Sequence, residues 1–297
     1  MTAPLGVLGL THTGAIMAVG WAALGFEVVA VDPDPAPLLQ MRGEPDWETA
    51  LVRVRERVVF DTRVDRLGDC RLVFVTRDVQ RTPAGTWDYA AIGGLVNDAL
   101  GVIQPSVLVL TSAVPPGFTR ALSKRHPLQD VYYWAETLIA GRALERFLHP
   151  EQFIVGVPEH GRRSQEVAAV FLACLDRLSS CPLVVLPYEA AELAKAAINA
   201  ALAASITLAD TLGDFCSVLG LDWGLVAECL RRDARIGPGA YLRPGLGVAG
   251  THLERDLLML RDLTRAEGLK GAEWLGSLLD QHERRREWML QIGRPVG

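Results

Sequence analysis

The longest apolar segment of the chain predicts one long helix, from Tyr188 to Leu219. Pro187 precedes the segment and Gly220 follows it, and these are residue types that commonly begin and end helices. Alanine and leucine dominate its composition, and apolar residues fall on nearly every face. A helix that is apolar all round must be buried all round. We therefore expect other helices, or a second subunit, to pack closely against it.

Two polar residues, Lys195 and Asn199, interrupt this helix near its start. Their spacing of four residues puts them on one face. The pattern alone leaves two interpretations open. One is a solvated first turn with a lysine that extends into solvent. The other is a catalytic pair held on a rigid element.

The first residues of the chain have the order of a dinucleotide-binding βαβ unit. Leu5–Leu10 predicts a short buried strand, Ala15–Leu24 predicts a helix, and Glu27–Val31 predicts a second strand that ends at Asp32. Strand, glycine turn, helix, strand and acid follow one another as they do in this unit.

The turn after the first strand reads Gly9-Leu10-Thr11-His12-Thr13-Gly14 and is assigned to the cofactor. Gly9 supplies the tight turn and Gly14 the close contact between helix and strand, while Thr11 replaces the usual middle glycine. Asp32 would accept hydrogen bonds from the adenosine ribose hydroxyls and repel a 2′-phosphate, which favours NAD over NADP. The alternative is a βαβ unit that no longer binds a cofactor.

After Asp32, short apolar runs alternate with helical or polar segments, as in a mostly parallel sheet. The predicted strands are Val58–Phe60, Leu72–Val75, Ser106–Leu110, Val131–Tyr133, Phe153–Val157 and Leu183–Leu186, with a helix over Ser164–Leu175. We therefore predict an α/β fold: an N-terminal Rossmann domain, residues 1–187, with a doubly wound sheet. An all-α domain, residues 188–297, follows and is organised on the long helix.

Polar residues at strand ends mark the predicted site, because ligands of such sheets lie beyond the carboxyl ends of the strands. The turn Thr111–Gly117 is expected to border the cofactor, and Thr76 and Ser112 are counted among the cofactor residues. Glu136 follows the strand Val131–Tyr133 and is a candidate polar group of the site. Its alternative interpretation is an ordinary surface acid.

The second half of the chain contains a helix up to about Arg232 and then a segment rich in glycine and proline, residues 235–252. So much glycine between helices marks a loop whose backbone passes close to something. Leu253 opens another helical pattern, and His252 stands at its start. That histidine is either structural or part of a site.

Composition limits the possible classes of function. The chain has 297 residues, 49% hydrophobic and 22% charged, with a net charge of −5, which suits a two-domain globular protein and disfavours nucleic acid as a partner. No apolar run of membrane-spanning length and no basic leader stand out, so we expect a cytoplasmic protein without a membrane partner. The five cysteines form no CxxC motif, and we expect no metal site.

In these motifs the chain resembles the UDP-glucose/GDP-mannose dehydrogenase family over nearly its full length. The motifs are GLTHTG with Asp32, SAVPPG, WAETLIAGRALERFLHPEQFIVG, AELAKAAINAALA and RIGPGAYLRPGLGVAGTHLERD. The resemblance implies a Rossmann domain, a helical domain whose long helix makes a homodimer, and a third domain that holds the nucleotide. It also implies two oxidations of a sugar alcohol, with two NAD, to a uronic acid.

The resemblance also implies roles for single residues. Lys195 and Asn199 match the pair that steadies a developing oxyanion and a water, and Glu136 matches a general base of hydrolysis. Asp256 matches the aspartate that closes the catalytic loop, and Arg255 matches a lysine near it and is assigned to the cofactor. The substrate-binding positions are Arg235, Tyr241, Arg243 and Gly250.

Three departures from the family pattern change the expected chemistry. His252 stands where the family has its cysteine nucleophile, Ala113 replaces a threonine, and the chain stops at Gly297, where the third domain should begin. Imidazole cannot form the thiohemiacetal that carries the second oxidation. We therefore expect a short member that lacks the cysteine and the nucleotide-binding domain.

These observations predict an NAD-dependent oxidoreductase that performs one two-electron oxidation, or its reverse. Its substrate would be a sugar, nucleotide-sugar or nucleoside alcohol, with His252 as an acid or base. One alternative is an inactive member that binds NAD or a nucleotide sugar and acts as a regulator or partner. Another is an enzyme similar to β-hydroxyacid dehydrogenases, acting on a small hydroxy acid. We expect a homodimer through the helix at residues 188–219.

Overall fold

The computed structural model describes residues 3–34, 44–82, 86–158, 167–245 and 251–292. The chain divides into two compact units, Met1–Lys195 and Ala196–Gly297. The division falls within the long helix, so the assignment of that whole helix to a second domain stays a prediction.

In the described part of the first unit, strands alternate with helices. The strands are β1 Leu5–Leu8, β2 Val28–Val31, β3 Val58–Asp61, β4 Leu72–Val75, β5 Gln80–Arg81, β6 Trp87–Asp88, β7 Val107–Leu110, β8 Asp130–Trp134, β9 Phe153–Val157 and β10 Leu183–Pro187. The helices are α1 His12–Ala23, α2 Trp47–Val54, α3 Ala90–Leu100, α4 Phe118–Arg125, α5 Ala143–Leu148 and α6 Ala169–Leu175, with a 3₁₀ helix at Val64–Leu67.

Eight of these strands form one sheet in the order β10-β9-β8-β7-β4-β1-β2-β3. Leu5 of β1 pairs with Val28 of β2 on one side and with Leu72 of β4 on the other, in parallel. The carboxyl ends of β1, β2 and β4 therefore lie side by side. The predicted α/β Rossmann fold is confirmed, and within this eight-stranded sheet β8 pairs with β9 in antiparallel orientation.

The core of the first unit is rich in aromatic side chains. Trp21 of α1 is fully buried and packs against Phe74, Trp134 and Phe147 at centroid distances of 5.3, 6.1 and 5.1 Å. Every residue of β1, β4 and β7 is buried. Strands covered on both faces consist of continuous apolar residues, which is why the sequence indicated them.

The long helix, α7, extends from Tyr188 to Val218, one residue short of the predicted end. Gly220 ends it in the left-handed conformation (φ +67°), and Leu221 N–H donates to the Cys216 carbonyl over 2.8 Å, a glycine C-cap. Three helices follow: α8 Trp223–Arg232, α9 Thr251–Ala266 and α10 Gly271–Ile292. Ala200 and Ala203 of α7 share a core with leucines of α9 and α10.

Some sequence-based expectations need correction. α1 begins at His12 and not at Ala15, because the polar residues of its first turn were counted with the loop. Of the predicted helix Ser164–Leu175, residues 164–166 lie outside the described residues, and α6 begins at Ala169. In this chain α7 is not buried all round, since Phe215 is 58% and Val218 82% exposed.

Length and hydropathy alone also make α7 a candidate membrane span. Its best 18-residue window has a mean hydropathy of 1.3 and is 44% buried. This corrects the expectation that no apolar segment reaches that length. The core helices of soluble proteins meet the same criterion, and the first turns of α7 carry Glu189, Glu192 and Lys195.

Candidate active site

The glycine turn after β1 requires glycine at two places, at Gly9 for its backbone conformation and at Gly14 for space. Gly9 has φ +97°, and a Cβ there would lie 2.8 Å from the backbone nitrogen of Arg77. A Cβ on Gly14 would overlap the carbonyl oxygen of Gly9 and the hydroxyl of Thr76. The turn therefore has the close packing of strand and helix that a dinucleotide-binding unit requires. The residues fit such a cofactor.

Thr11, at the position of the missing middle glycine, is accommodated by the end of β4. Its hydroxyl donates to the Thr76 carbonyl over 3.0 Å and accepts from Asp78 N–H over 3.2 Å. The side chain therefore does not cap α1, and Thr13 in the first turn is buried. Thr76 itself donates its hydroxyl to the carbonyls of Leu8 and Gly9. Thr76 thus ties β4 to the glycine turn.

Asp32, the predicted ribose acid, is covered by an arginine that the sequence analysis missed. One Asp32 oxygen, Oδ2, accepts from Leu10 N–H over 2.7 Å. The other, Oδ1, accepts from Asp34 N–H over 2.9 Å and from Arg77 Nη1 over 2.8 Å. The Asp32 side chain is 0% exposed and that of Arg77 is 18% exposed. Ser112 Oγ donates to the Arg77 carbonyl over 2.6 Å.

His12, on the first turn of α1, contacts a second residue that the sequence analysis missed, Glu44. Nε2 of His12 lies 2.9 Å from Oε1 of Glu44. The two Glu44 oxygens also accept from Gly141 N–H (2.9 Å) and Ala143 N–H (3.1 Å). Burial raises the pKa of Glu44, but hydrogen bonds from Gly141, His12 and Ala143 outweigh it and leave the pKa below its ordinary value. Glu44 therefore links the glycine turn to the segment before α5.

Lys195 and Glu136 form a buried ion pair within the first unit. Lys195 Nζ donates to the backbone carbonyl of Glu136 and lies 3.2 Å from its Oε1. The other carboxylate oxygen accepts from Leu138 N–H over 2.8 Å. The Lys195 and Glu136 side chains are 10% and 17% exposed, so a solvated lysine and an ordinary surface acid are both excluded. Lys195 is thus fixed on α7 with its charge compensated.

Within the second unit, Asn199 is held by the start of α9. Its Nδ2 donates to Asp256 Oδ2 over 2.6 Å, and Arg255 Nε donates to Asp256 Oδ1 over 2.8 Å. Arg255 and Asp256 are buried, at 4% and 2% exposure. His252 is exposed, and its Nδ1 lies 3.4 Å from Arg255 Nη1. Arg255 is therefore the ion-pair partner of Asp256, and the cofactor role that the sequence analysis assigned to it stays a prediction.

The predicted substrate residues lie on the surface of the second unit or outside the described part. Arg235 pairs with Asp233 over 2.7 Å, and its side chain is 88% exposed. Tyr241 is 39% exposed, and Arg243 is also exposed. Gly250 lies outside the described residues. A substrate role for these four positions stays a prediction.

Glu192, one turn before Lys195, is a third residue that the sequence analysis passed over. It is 1% exposed and accepts from Gly117 N–H over 2.6 Å and from Thr119 N–H over 2.8 Å. Burial raises its pKa, and bonds from Thr119 and Gly117 oppose the rise. Glu192 therefore fixes the SAVPPG turn and the start of α4. Its spacing of three residues from Lys195 was the signal available in the sequence.

Metal coordination finds no support in the described ranges, where no group of three or more His, Cys, Asp or Glu side chains could hold a metal ion. The five cysteines are free. Cys70, Cys174 and Cys216 are buried, whereas Cys229 is exposed.

Comparison with known proteins gives this arrangement a context. Residues 189–281 match the model of the UDP-glucose/GDP-mannose dehydrogenase family, central domain. The chain is 28% identical to UDP-glucose 6-dehydrogenase AglM of Haloferax volcanii over 311 aligned positions, covering 98% of this chain and 72% of AglM. It is 24% identical to the putative UDP-glucose 6-dehydrogenase YtcA of Bacillus subtilis, covering 86% of this chain but only 62% of YtcA.

A solved structure shows the same architecture. The UDP-glucose dehydrogenase of the hyperthermophilic archaeon Pyrobaculum islandicum superposes with a TM-score of 0.79 at 28% identity, covering 97% of this chain and 69% of that one. These findings confirm the resemblance to nucleotide-sugar dehydrogenases that the motifs indicated. They support an oxidoreductase of that class.

Proposed function

We propose that the chain is an NAD-dependent oxidoreductase that carries out one two-electron oxidation of an alcohol, or its reverse, on a sugar, nucleotide sugar or nucleoside. The observation that carries this proposal is the buried ion pair of Lys195, on the first turns of α7, with Glu136, which follows β8. An ammonium group held in place by a carboxylate is suited to meet negative charge that develops on a substrate oxygen.

The residues of the glycine turn are proposed to bind the cofactor. The first-turn N–H groups of α1 would face its diphosphate, and Asp32 would lie near its adenosine ribose. NAD supplies the acceptor for the hydride that leaves the alcohol carbon. The residues of the protein are proposed to accept the hydroxyl proton and to stabilise the charge that develops on the substrate oxygen.

Lys195 is proposed to stabilise the alkoxide oxygen as the hydroxyl proton leaves. Asn199, oriented by its bond to Asp256, would orient that oxygen. His252 and Glu136 are the candidates to accept the proton. Since His252 offers no thiolate, the aldehyde or ketone has no covalent attachment to the protein. We therefore expect its release after one hydride transfer.

Two further functions have an observation in their favour. His252 stands where the family has its cysteine nucleophile, which favours a protein that binds NAD or a nucleotide sugar without turning it over. The pair Lys195 and Asn199 on a long helix, with no cysteine needed, favours a small hydroxy acid as substrate, as in β-hydroxyacid dehydrogenases. In all three cases we expect a cytoplasmic homodimer with no nucleic-acid or membrane partner.

The proposal is tested by incubating the protein with NAD and a panel of UDP- and GDP-sugars, free sugars, nucleosides and hydroxy acids. We expect one NADH per substrate and an aldehyde or ketone by mass spectrometry. Lys195→Met should lower kcat by about 10²-fold or more. The matched control is Lys124→Met, which removes an exposed lysine of the same unit and should leave the rate unchanged.

Two results would contradict the proposal of a single oxidation. Two NADH and a carboxylate would show that His252 does not prevent the second oxidation. Tight NAD binding without turnover of any substrate class would favour the binding protein over the enzyme.

A further inference from the structure

Arg77 reaches the predicted ribose acid from a different strand. It stands two residues after the end of β4, while Asp32 follows β2, and β1 lies between these strands. The backbone of Arg77 packs against Gly9, and Ser112 Oγ holds its carbonyl over 2.6 Å. The guanidinium is thereby anchored beside the glycine turn, 2.8 Å from Asp32 Oδ1.

We propose that Arg77 determines the cofactor specificity of this site by neutralising Asp32, so that the chain accepts a 2′-phosphate on the adenosine ribose and binds NADP about as well as NAD. This inference rests on the proposed function, because it concerns the same cofactor residues. It differs from the expectation, drawn from the sequence, that Asp32 favours NAD over NADP.

The charge at the surface of this site is the first argument. An uncompensated carboxylate at the end of β2 selects NAD, because it accepts ribose hydroxyls and repels phosphate. The Asp32 side chain is 0% exposed and its oxygens accept three hydrogen bonds. The exposed member of the pair is Arg77, at 18%. A ligand that approaches this edge therefore meets a guanidinium before it meets a carboxylate.

The donor geometry is the second argument. A guanidinium carries five N–H donors in a planar fork that matches phosphate oxygens. Asp32 engages Nη1 of Arg77, and among the described residues no other carboxylate pairs with this side chain. The remaining donors are thus available for a phosphate next to Asp32. An arginine near the ribose is the feature that accommodates the 2′-phosphate of NADP in such folds.

The test measures binding and needs no substrate. Isothermal titration calorimetry of the full chain with NAD and NADP, and with ADP-ribose and its 2′-phosphate, gives the ratio of the two dissociation constants. For the wild-type protein we expect a ratio within about threefold of one. In Arg77→Ala the phosphorylated ligand should lose about tenfold or more relative to the other, because a charge-assisted contact is lost and Asp32 is exposed.

Two variants complete the design. Arg77→Lys keeps the charge and should retain most of the tolerance for phosphate. Arg71→Ala removes the same charge from an exposed arginine at the opposite end of β4, and should leave the ratio unchanged.

The possible failures can be told apart. A wild-type protein that binds NAD at least about a hundredfold more tightly than NADP overturns the inference and leaves the proposed function intact. An unchanged ratio in Arg77→Ala also overturns it. If the wild-type protein binds none of the four ligands, both the proposed function and the inference are wrong.

Discussion

In the first unit the large aromatic side chains pack against one another, whereas in the second unit large apolar side chains of α7 and α8 face solvent. Trp21 is fully buried among Phe74, Trp134 and Phe147. By contrast, Phe215 of α7 is 58% exposed and Leu225 of α8 is 70% exposed. The difference lies in the side chains and helices that each unit has to cover its apolar faces.

The two units therefore differ in how far their own elements cover their apolar side chains. The first unit covers its sheet with its own helices, which gives the strand ends of the proposed cofactor site a rigid base. The second unit leaves one face of α7 open, since Leu208, Phe215 and Val218 are spaced by seven and three residues and are all exposed. An exposed apolar face of this kind marks an interaction site. It supports the proposed homodimer.

The largest expected effect concerns tryptophans in the two units. Trp21→Ala should cost about 3–5 kcal/mol of unfolding free energy, because it leaves a cavity in the aromatic core. Trp274→Ala, at a position 54% exposed in α10, should change it by less than about 0.5 kcal/mol. Denaturant unfolding followed by circular dichroism measures both. Equal losses would contradict the contrast between the two units.

A smaller loss is expected from crowding of the glycine turn. In Gly14→Ala the new methyl group would meet the carbonyl of Gly9, and the strain should cost about 2–3 kcal/mol and weaken NAD binding. The matched change is Gly94→Ala within α3, where a Cβ meets no described atom within 4 Å. That substitution should be neutral or stabilise by about 0.4–1 kcal/mol. A Gly14→Ala variant with unchanged stability would show that the turn has room for a methyl group at this position.

The next prediction concerns the exposed apolar face of α7, which is formed by Leu208, Phe215 and Val218. If it forms the homodimer, Phe215→Lys should raise the dissociation constant of the dimer by about 30-fold, the effect of losing about 2 kcal/mol at an interface centre. Leu128→Lys changes an 86% exposed leucine of the first unit and should leave assembly unaffected. Sedimentation velocity over a concentration series measures both. A wild-type monomer at micromolar concentration would refute the homodimer itself.

The smallest effect is the pH dependence of Glu192. Burial raises its pKa above the ordinary 4.5, so the folded state favours the protonated form. Ionised Glu192 therefore lowers stability as pH rises through 4.5 and toward its folded pKa. Compared with Glu192→Gln, which cannot ionise, the wild-type melting temperature should fall as the pH rises above 4.5. A difference in melting temperature between the two proteins that stays constant as the pH rises above 4.5 would contradict the raised pKa.

Much of the fold could be predicted because burial leaves a signal along the chain. β4 and β9 have the predicted bounds, and α7 is within one residue, since strands buried on both faces and a long apolar helix are continuous apolar segments. The pattern carries no strand direction, so the antiparallel pairing of β8 with β9 could not be read from it. The sequence analysis gave no bounds for the helices α2 and α3, which lie in segments that it described only as helical or polar.

The candidate site also contains residues that the sequence predicted and residues that it did not. The sequence located Gly9, Gly14 and Asp32 because their order along one βαβ unit is local, and Lys195 with Asn199 because helix spacing is local. Contacts between residues that are far apart in the sequence could not be predicted. Glu44 meets Gly141 across 97 residues, and no local pattern connects them.

By itself, then, the sequence determined where Asp32 stands and that it is an acid at the end of a strand. Only the tertiary structure decided what that acid can do, because β1 lies between β2 and β4 in the sheet. This order carries Arg77 across 45 residues of sequence onto the Asp32 carboxylate. A carboxylate in water and one paired with a guanidinium carry the same letter in the sequence, but the paired carboxylate presents a much weaker negative field to a ligand, because the opposite charge lies 2.8 Å away.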